Sequence, residues 1–418
     1  MKSTSKVSAG RGNIVDKCQI CSNPSLEPIL FLGYLPPANR VHPIGEKPKE
    51  QLSFPAQILY CPKCHLVQLG LIVDPKILFP PEYPYTSSTT KILRDNFAEL
   101  YQECKSIIDL SRNDLVVDIG SNDGNLLDNF KNNHKVLGVT PEEIGKLAIE
   151  KGIPTIISFF NSDIVSRILK EHGKAKVITA TNVFAHIGSI NEITEDILRL
   201  LKDDGVFISE SHYLASLIEK LQYDTIYHEH LRYYSLHSLK YLLEMHGLEV
   251  FHAKKIPTHG GSIRVYAARK EKYKVKDSVG KLLSEEKPIV LDKKNLLDFK
   301  KRVVISKLEL NSLLLGLKKK NKKIYGIGDP SRASTLITYV GIDDGILDCV
   351  LELKGSHKIG KYIPGTLIPV LEESKLYDDQ PDYALLLAWH IADELALKLR
   401  QKGYKGNFIV PLPKPRIL

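Results

Sequence analysis

Two groups of residues in this chain have the types and spacing for chemistry. The run Tyr227-His228-Glu229-His230-Leu231-Arg232-Tyr233-Tyr234-Ser235 sets four titratable groups in succession. The His-Glu-x-x-His of a helical zinc protease is absent. Burial for packing alone would strand many polar groups without partners. The run is therefore read as part of a reactive centre. The second group is cysteine: four of the six form two Cys-x-x-Cys pairs, Cys18/Cys21 and Cys61/Cys64, with 39 residues between the pairs. Each pair brings two thiolates to one tight turn, and two such turns complete a four-sulfur shell that suits zinc. A redox pair would be single and would sit beside a strand-helix unit. Four protein ligands leave no position for a catalytic water, so one structural Zn²⁺ is expected, with His65 as an alternative ligand.

A third feature is a turn. Leu115 to Ile119 is a buried-strand pattern running into Gly120-Ser121-Asn122-Asp123-Gly124 and then a helix. Glycine lets the backbone turn sharply and approach a ligand closely, and the first strand-helix turn of a doubly wound sheet is where nucleotide-like cofactors bind. The Gly-x-x-x-Gly spacing, with acids at Asp118 and Asp123, differs from the Gly-x-Gly-x-x-Gly of dinucleotide sites. Carboxylates suit the ammonium and sulfonium of S-adenosylmethionine better than a pyrophosphate. The second strand ends in Thr140 where an acid would hold the ribose hydroxyls; Glu142 could reach back, or Thr140 could make one weaker contact. Asn182-Val183-Phe184-Ala185-His186, after the fourth strand, adds polar groups to the same cleft, with His186 a candidate for chemistry.

Positioning these residues requires a particular order of elements. Apolar positions from Ile92 to Ile108 recur at helical spacing, with N-cap candidates at Ser87, Ser88 and Thr89. Strand-like runs at 115–119, 136–139, 155–157, 177–180 and 206–209 alternate with helical stretches, the rhythm of a doubly wound parallel sheet. Two further runs flanking His259-Gly260-Gly261 suggest antiparallel edge strands. A Leu/Lys-rich segment over 292–319 separates this unit from a second strand-helix rhythm at 323–327, 347–351, 367–370, 383–388 and 407–410. The fold expected is α/β: a zinc-binding N-terminal module (1–86), a central doubly wound, Rossmann-like sheet (87–290), which the family resemblance given below marks as a methyltransferase domain, and a smaller C-terminal Rossmann-like α/β domain (291–418). In the last, Tyr325-Gly326-Ile327-Gly328 leads to a helix start at Ser331-Arg332 suited to a diphosphate.

Composition narrows the function. The 418 residues are 43% hydrophobic and 26% charged, as in ordinary soluble enzymes. No apolar stretch approaches the roughly 20 residues of a membrane span, and the polar start from Met1 to Asp16 lacks a signal-peptide core, so a cytoplasmic location is expected. The net charge of +9 is spread along the chain, with local runs near Lys318 to Lys323. That favours an anionic small substrate over nucleic acid, although a zinc-ribbon nucleic-acid binder or RNA methyltransferase remains the rival from another class.

With these motifs in order, the chain resembles the sugar-nucleotide C-methyltransferases that act on 4-keto-6-deoxyhexoses. The resemblance spans nearly the whole sequence. Besides the cysteine pairs, the glycine turn, the Asn182 to His186 segment and the Tyr227 to His230 run, it is carried by Pro36-Pro37-Ala38-Asn39, His259-Gly260-Gly261-Ser262-Ile263-Arg264, Lys361-Tyr362-Ile363-Pro364-Gly365-Thr366 and Phe408-Ile409-Val410-Pro411-Leu412-Pro413. The chain departs from the family pattern at Thr140, at Glu352, where Asp is commoner, and in the Gly328-Asp329-Pro330-Ser331-Arg332 turn.

The resemblance implies S-adenosylmethionine as cofactor, held by Asp118, Gly120, Asn122, Asp123, Gly124, Thr140 or Glu142, and Asn182. It implies His230 as general base with Tyr227, Glu229 and His186 around the reacting sugar. Glu229 is expected to orient or charge-stabilise His230. Substrate contacts are expected from Tyr83, Tyr85, His228, Arg264, Gly328, Ser331 and Arg332. The expected reaction is methylation at C3 of a nucleotide-linked 4-keto-6-deoxyhexose by a single chain, with C5 as the alternative, through an enolate formed by a base of near-neutral pKa.

Overall fold

The structure is a computed structural model that describes residues 11–79 and 90–418. Tyr83 and Tyr85, with the cap candidates Ser87 to Thr89, lie outside the described residues.

The N-terminal module is built on an antiparallel sheet. Strand Phe54–Tyr60 buries Phe54, Ala56, Ile58 and Tyr60 on one face, the period-2 pattern of a half-covered strand. It pairs with Glu27–Leu35 on one side and Val67–Leu69 on the other. The fourth strand of this sheet comes from elsewhere in the chain: Arg232–Tyr233, directly after the Tyr227 to His230 run, pairs antiparallel with Val67–Leu69, with Arg232 opposite Gln68 and Tyr233 opposite Val67. The backbone N–H of Leu69 also donates to the carbonyl of Leu231 at 2.9 Å.

Helix Lys91–Ile107 follows; its buried residues Leu93, Asn96, Phe97, Leu100, Tyr101 and Cys104 form one stripe. The central sheet has seven strands in the order Leu248–Ile256, Ser262–Arg269, Leu201–His212, Ala175–Thr181, Leu115–Ile119, Lys135–Thr140, Thr155–Ile157. The first two are antiparallel additions and the other five are parallel to one another. The chain winds outward from Leu115–Ile119 to Thr155–Ile157 and then returns to the other side at Ala175–Thr181. The two neighbouring strands at this reversal leave a crevice beyond their carboxyl ends, the general ligand position of such sheets. Gly120 and Asn182 stand there.

Helix Lys293–Lys318 has 26 residues and so spans about 39 Å. Asp292 caps it, accepting from the Lys294 N–H at 2.8 Å, and Leu296, Phe299, Val303, Leu310, Leu314 and Leu317 face inward. The C-terminal sheet follows in the order Val370–Glu372, Cys349–Glu352, Ile324–Ile327, Tyr383–Leu386, Asn407–Val410, Arg416–Ile417. Its reversal lies between Ile324–Ile327 and Tyr383–Leu386, which puts Gly328 and Trp389-His390 at a second crevice. The strand expected over 367–370 instead runs from Val370 to Glu372; Pro369 has no N–H for a ladder. Lys361–Tyr362 reaches back to pair with His42–Pro43, so the last unit is docked on the first. Among the described residues no helix is long and apolar enough to cross a membrane.

Candidate active site and metal centre

The two Cys-x-x-Cys turns are built alike. The N–H of Ser22 donates to the carbonyl of Cys18, and that of His65 to Cys61, both at 2.9 Å. Ser22 and His65 each take a positive φ, 56° and 61°. The sulfurs pair across the turns, Cys18 to Cys64 at 3.4 Å and Cys21 to Cys61 at 3.5 Å, and all four lie within 4.8 Å of one another. A tetrahedral zinc with 2.3 Å bonds needs sulfurs about 3.8 Å apart, so the shell fits the ion. His65 is not part of it, since its Nδ1 lies 2.6 Å from the Tyr60 hydroxyl. The first turn rests on the central unit, where the Asn191 amide donates to the carbonyls of Gln19 and Ile20 at 3.3 and 3.0 Å.

At the central crevice Gly120 has φ 74°, and a Cβ there would stand 2.3 Å from Cγ2 of Val183. Gly124 has φ 79°, and a Cβ there would meet Ile153 at 2.7 Å and Ala148 at 2.9 Å. Both positions therefore demand glycine twice over, by conformation and by space. Asn122 and Asn182 also take positive φ, 50° and 59°. Asp118 is fully buried and accepts from Thr179 Oγ1 at 2.6 Å; burial pushes its carboxyl up to about 7. Asp123 pairs with Lys151 at 3.2 Å.

Thr140 and Glu142 act together: the Thr140 hydroxyl donates to the Glu142 carboxylate at 3.4 Å, and burial raises the Glu142 pKa. A carboxylate thus stands beside the end of the second strand, two residues further on. Buried polar atoms of Ser121, Asn182 and His186 (Oγ, Oδ1 and Nδ1) have no protein partner. Buried orphans of this kind call for a ligand. A backbone cradle with carboxylates and amide oxygen fits the cationic amino-acid end and ribose of S-adenosylmethionine.

Beside this crevice lies the reactive run. Leu231 donates its N–H to the carbonyl of Ala185 at 2.8 Å, tying the run to the loop that follows the fourth strand. The buried Arg232 guanidinium holds the same loop through the carbonyls of Ile187 at 2.5 Å and Gly188 at 2.6 Å. His230 Nδ1 is 2.8 Å from the Thr225 carbonyl, and Nε2 is 3.2 Å from the Tyr227 hydroxyl. A carbonyl can only accept, so Nδ1 carries the proton and Nε2 is the free, basic nitrogen. Burial, with His186 adding to it, pushes His230 down to about 3, and burial drives the Tyr227 phenol well above its usual range. The His230 imidazole is therefore neutral at pH 7, with a pKa far below the near-neutral value expected of a base. Tyr227 remains a donor.

Sequence reasoning missed part of this pocket. The ring of His230 lies 5.0 Å from those of His186 and His212, and His212 stacks on His259 at 5.2 Å. His212 ends the fifth strand and His259 sits in the turn between the edge strands. The only available signal was that both positions precede or follow strand ends at the crevice. His390 joins from the C-terminal unit, 3.4 Å from Arg332 Nη1.

Several residues expected to contact the substrate have partners elsewhere in the fold. The Nδ1 partner of His230 is the Thr225 carbonyl, and the Glu229 carboxylate, expected to orient or charge-stabilise His230, accepts from Asn39 of the zinc module at 2.8 Å. His228 turns into the zinc module, 3.3 Å from the Pro55 carbonyl and edge-on to Phe54. Arg264 is wholly buried and fully engaged: Nε to Glu210 at 2.6 Å, Nη1 to Glu99 at 2.5 Å and Glu103 at 2.8 Å, Nη2 to Asn96. It braces helix Lys91–Ile107 against the sheet and has no N–H left for a sugar. Arg332, expected at a diphosphate, grips Asp224 with Nε and Nη2, both at 2.7 Å, and turns Nη1 toward His390. Ser331 bonds Asn39 at 3.3 Å, which places it next to Glu229, and Gly328 takes φ 78° at the second crevice.

Known proteins resemble this chain along most of its length. Family models match in three consecutive stretches: a zinc binding domain over 18–79, a methyltransferase domain over 90–253 and a C-methyltransferase C-terminal domain over 257–413. The C-methyltransferase NovU of Streptomyces niveus is 31% identical over 411 residues, covering 97% of each chain. Among solved structures, an S-adenosylmethionine-dependent methyltransferase from Clostridium acetobutylicum is 14% identical, covering 44% of this chain and 93% of its own, with a TM-score of 0.33. Magnesium protoporphyrin IX methyltransferase from Synechocystis is 16% identical, covering 42% and 83%, with a TM-score of 0.34.

Proposed function

The chain belongs to the C-methyltransferase family, and on that premise we propose that it methylates C3 of a nucleotide-linked 4-keto-6-deoxyhexose, with His230 as the base. The observation that carries this reading is the tautomer of His230: a neutral imidazole, aimed by the Thr225 carbonyl, with its lone pair beside a phenol at the mouth of the cofactor crevice.

A hydrogen on the carbon next to a ketone becomes acidic when the resulting charge can spread to oxygen. Nε2 of His230 takes that proton. In the free protein the Tyr227 hydroxyl occupies Nε2; when the ketone enters, the same hydroxyl turns to the ketone oxygen, which frees the base and supplies the donor for the enolate in one movement. The buried phenol stays protonated and so can serve. The Gly120 to Gly124 turn, Asn182 and the Thr140/Glu142 pair would hold S-adenosylmethionine, which would supply an electrophilic methyl on sulfonium. The protein's part is alignment: bringing reacting atoms to about 3 to 3.5 Å accounts for much of the rate of such transfers. Glu229, fixed by Asn39, and His186 border the sugar. The nucleotide lies toward Gly328 and Ser331 at the second crevice. A zinc ion on Cys18, Cys21, Cys61 and Cys64 would hold the module that carries the partner strand of this run.

The test is product analysis. Incubated with labelled methyl donor and a panel of 4-keto-6-deoxyhexose nucleotides, the protein is expected to give a product whose new methyl carbon couples to C3 in NMR. A methyl on C5 moves the site, and methylated RNA with no sugar product overturns the reading.

A further inference from the structure

The helix Ser331–Val340 follows the first strand of the C-terminal sheet, yet it bonds to both ends of the segment that aims His230. Arg332 grips Asp224 in a fork, 2.7 Å to each carboxylate oxygen, with side chains only 7% and 1% exposed. The Trp389 indole N–H also donates to Asp224 at 2.7 Å, and the Arg332 guanidinium lies 4.9 Å over the same indole. Three residues along the helix, the Thr335 hydroxyl donates to the Ile226 carbonyl at 3.2 Å. At the helix start, Ser331 reaches Glu229 through Asn39. Between Asp224 and Ile226 lies Thr225, whose carbonyl accepts from Nδ1 of His230.

We propose that Arg332 and Asp224 are positioning residues for the base: their buried pair fixes the Thr225 carbonyl, and through it the tautomer and aim of His230, so that an active base exists only when the C-terminal unit is docked. The inference rests on His230 being the base. A buried carboxylate deprived of its guanidinium is an uncompensated charge, and the backbone that bears it moves to find water or another partner. Thr225 follows directly in the chain and moves with it. Lysine cannot reproduce the fork, because an ammonium is a point charge without two parallel donors.

The experiment compares zinc-loaded full-length wild type with Arg332→Lys, Arg332→Met and Asp224→Asn, selecting variants that keep wild-type binding of S-adenosylmethionine. Turnover is measured with the nucleotide sugar, and ¹⁵N-histidine spectra report the protonation of the His230 nitrogens, assigned by loss of the signal in His230→Gln. A tenfold or greater fall in kcat is expected, with KM for the sugar held within about threefold and a mixed Nδ1/Nε2 signal for His230. If Arg332→Met does not fold, the lysine and asparagine variants carry the test. A rise in KM with kcat and tautomer kept would make Arg332 a substrate ligand and overturn the proposal, as would wild-type behaviour in all variants. The two layers separate: if His230→Gln itself keeps full turnover, the assignment of the base fails; if it is inactive while the pair variants act as wild type, only the positioning role fails.

Discussion

His230 donates its Nδ1–H to the Thr225 carbonyl at 2.8 Å, and that one bond leaves Nε2 as the unprotonated nitrogen facing the Tyr227 hydroxyl. The strand that follows, Arg232–Tyr233, is at the same time the edge of the zinc module's sheet. The reactive run is thus held at its start by the C-terminal unit and at its end by the N-terminal one.

Loss of the metal should therefore cost catalysis as well as stability. Cys61→Ser, or removal of zinc by a chelator, is expected to lower the melting temperature and to reduce kcat by at least tenfold, because the knuckles anchor the Tyr60 to Leu69 hairpin on which Arg232–Tyr233 pairs. Metal analysis with activity assays checks this. A zinc-free variant that is soluble and fully active would show the module to be independent of the site.

The cradle makes a second, separable prediction. Gly120→Ala adds a Cβ 2.3 Å from Cγ2 of Val183 at a residue whose φ is 74°. The strained backbone alone costs about 1–2 kcal/mol, so binding of S-adenosylmethionine should weaken by about tenfold or more. Calorimetric titration should show partial recovery in Gly120→Ala/Val183→Ala, which removes the clash and leaves the strain. Unchanged affinity in the single variant would place the cofactor elsewhere.

Acid should act on the histidines before it acts on most carboxylates. Burial pushes His186 and His259 down to about 4 and His230 and His390 to about 3, against about 6.5 in an unfolded chain. Between these values the unfolded chain binds protons that the folded one refuses, so stability rises with pH there: the contribution is complete above about pH 6.5 and is lost as the pH falls toward 4. Calorimetry at pH 5.5 in buffers of different ionisation enthalpy should detect proton uptake on unfolding. A melting temperature level from pH 7 to pH 4.5 would contradict the burial of these neutral rings.

Local patterns made much of this fold legible. The cysteine pairs announced their turns, and the strand rhythm gave the central sheet, including the antiparallel edge around His259-Gly260-Gly261. What stayed hidden depended on distant partners. Arg264 was taken for a substrate contact because Glu210 and Glu99, its partners, stand 54 and 165 positions away. The Asp224 partner of Arg332 is hidden for the same reason, since the two stand 108 positions apart and meet only across the docked C-terminal unit. The roles of Thr140 and Glu142 were left as alternatives, and the structure joins them in one hydrogen bond. His212 and His259, isolated in sequence, gather around His230 only through the sheet.

The most direct test of the central claim is solvent deuterium exchange into a nucleotide-linked 4-keto-6-deoxyhexose, followed by NMR in D₂O without methyl donor. Wild-type protein is expected to exchange the hydrogen at C3, and His230→Gln to lose that exchange by 100- to 10,000-fold, the usual range for a general base, while still binding S-adenosylmethionine. Exchange at full rate in His230→Gln, or none at either carbon beside the ketone in the wild type, would contradict it.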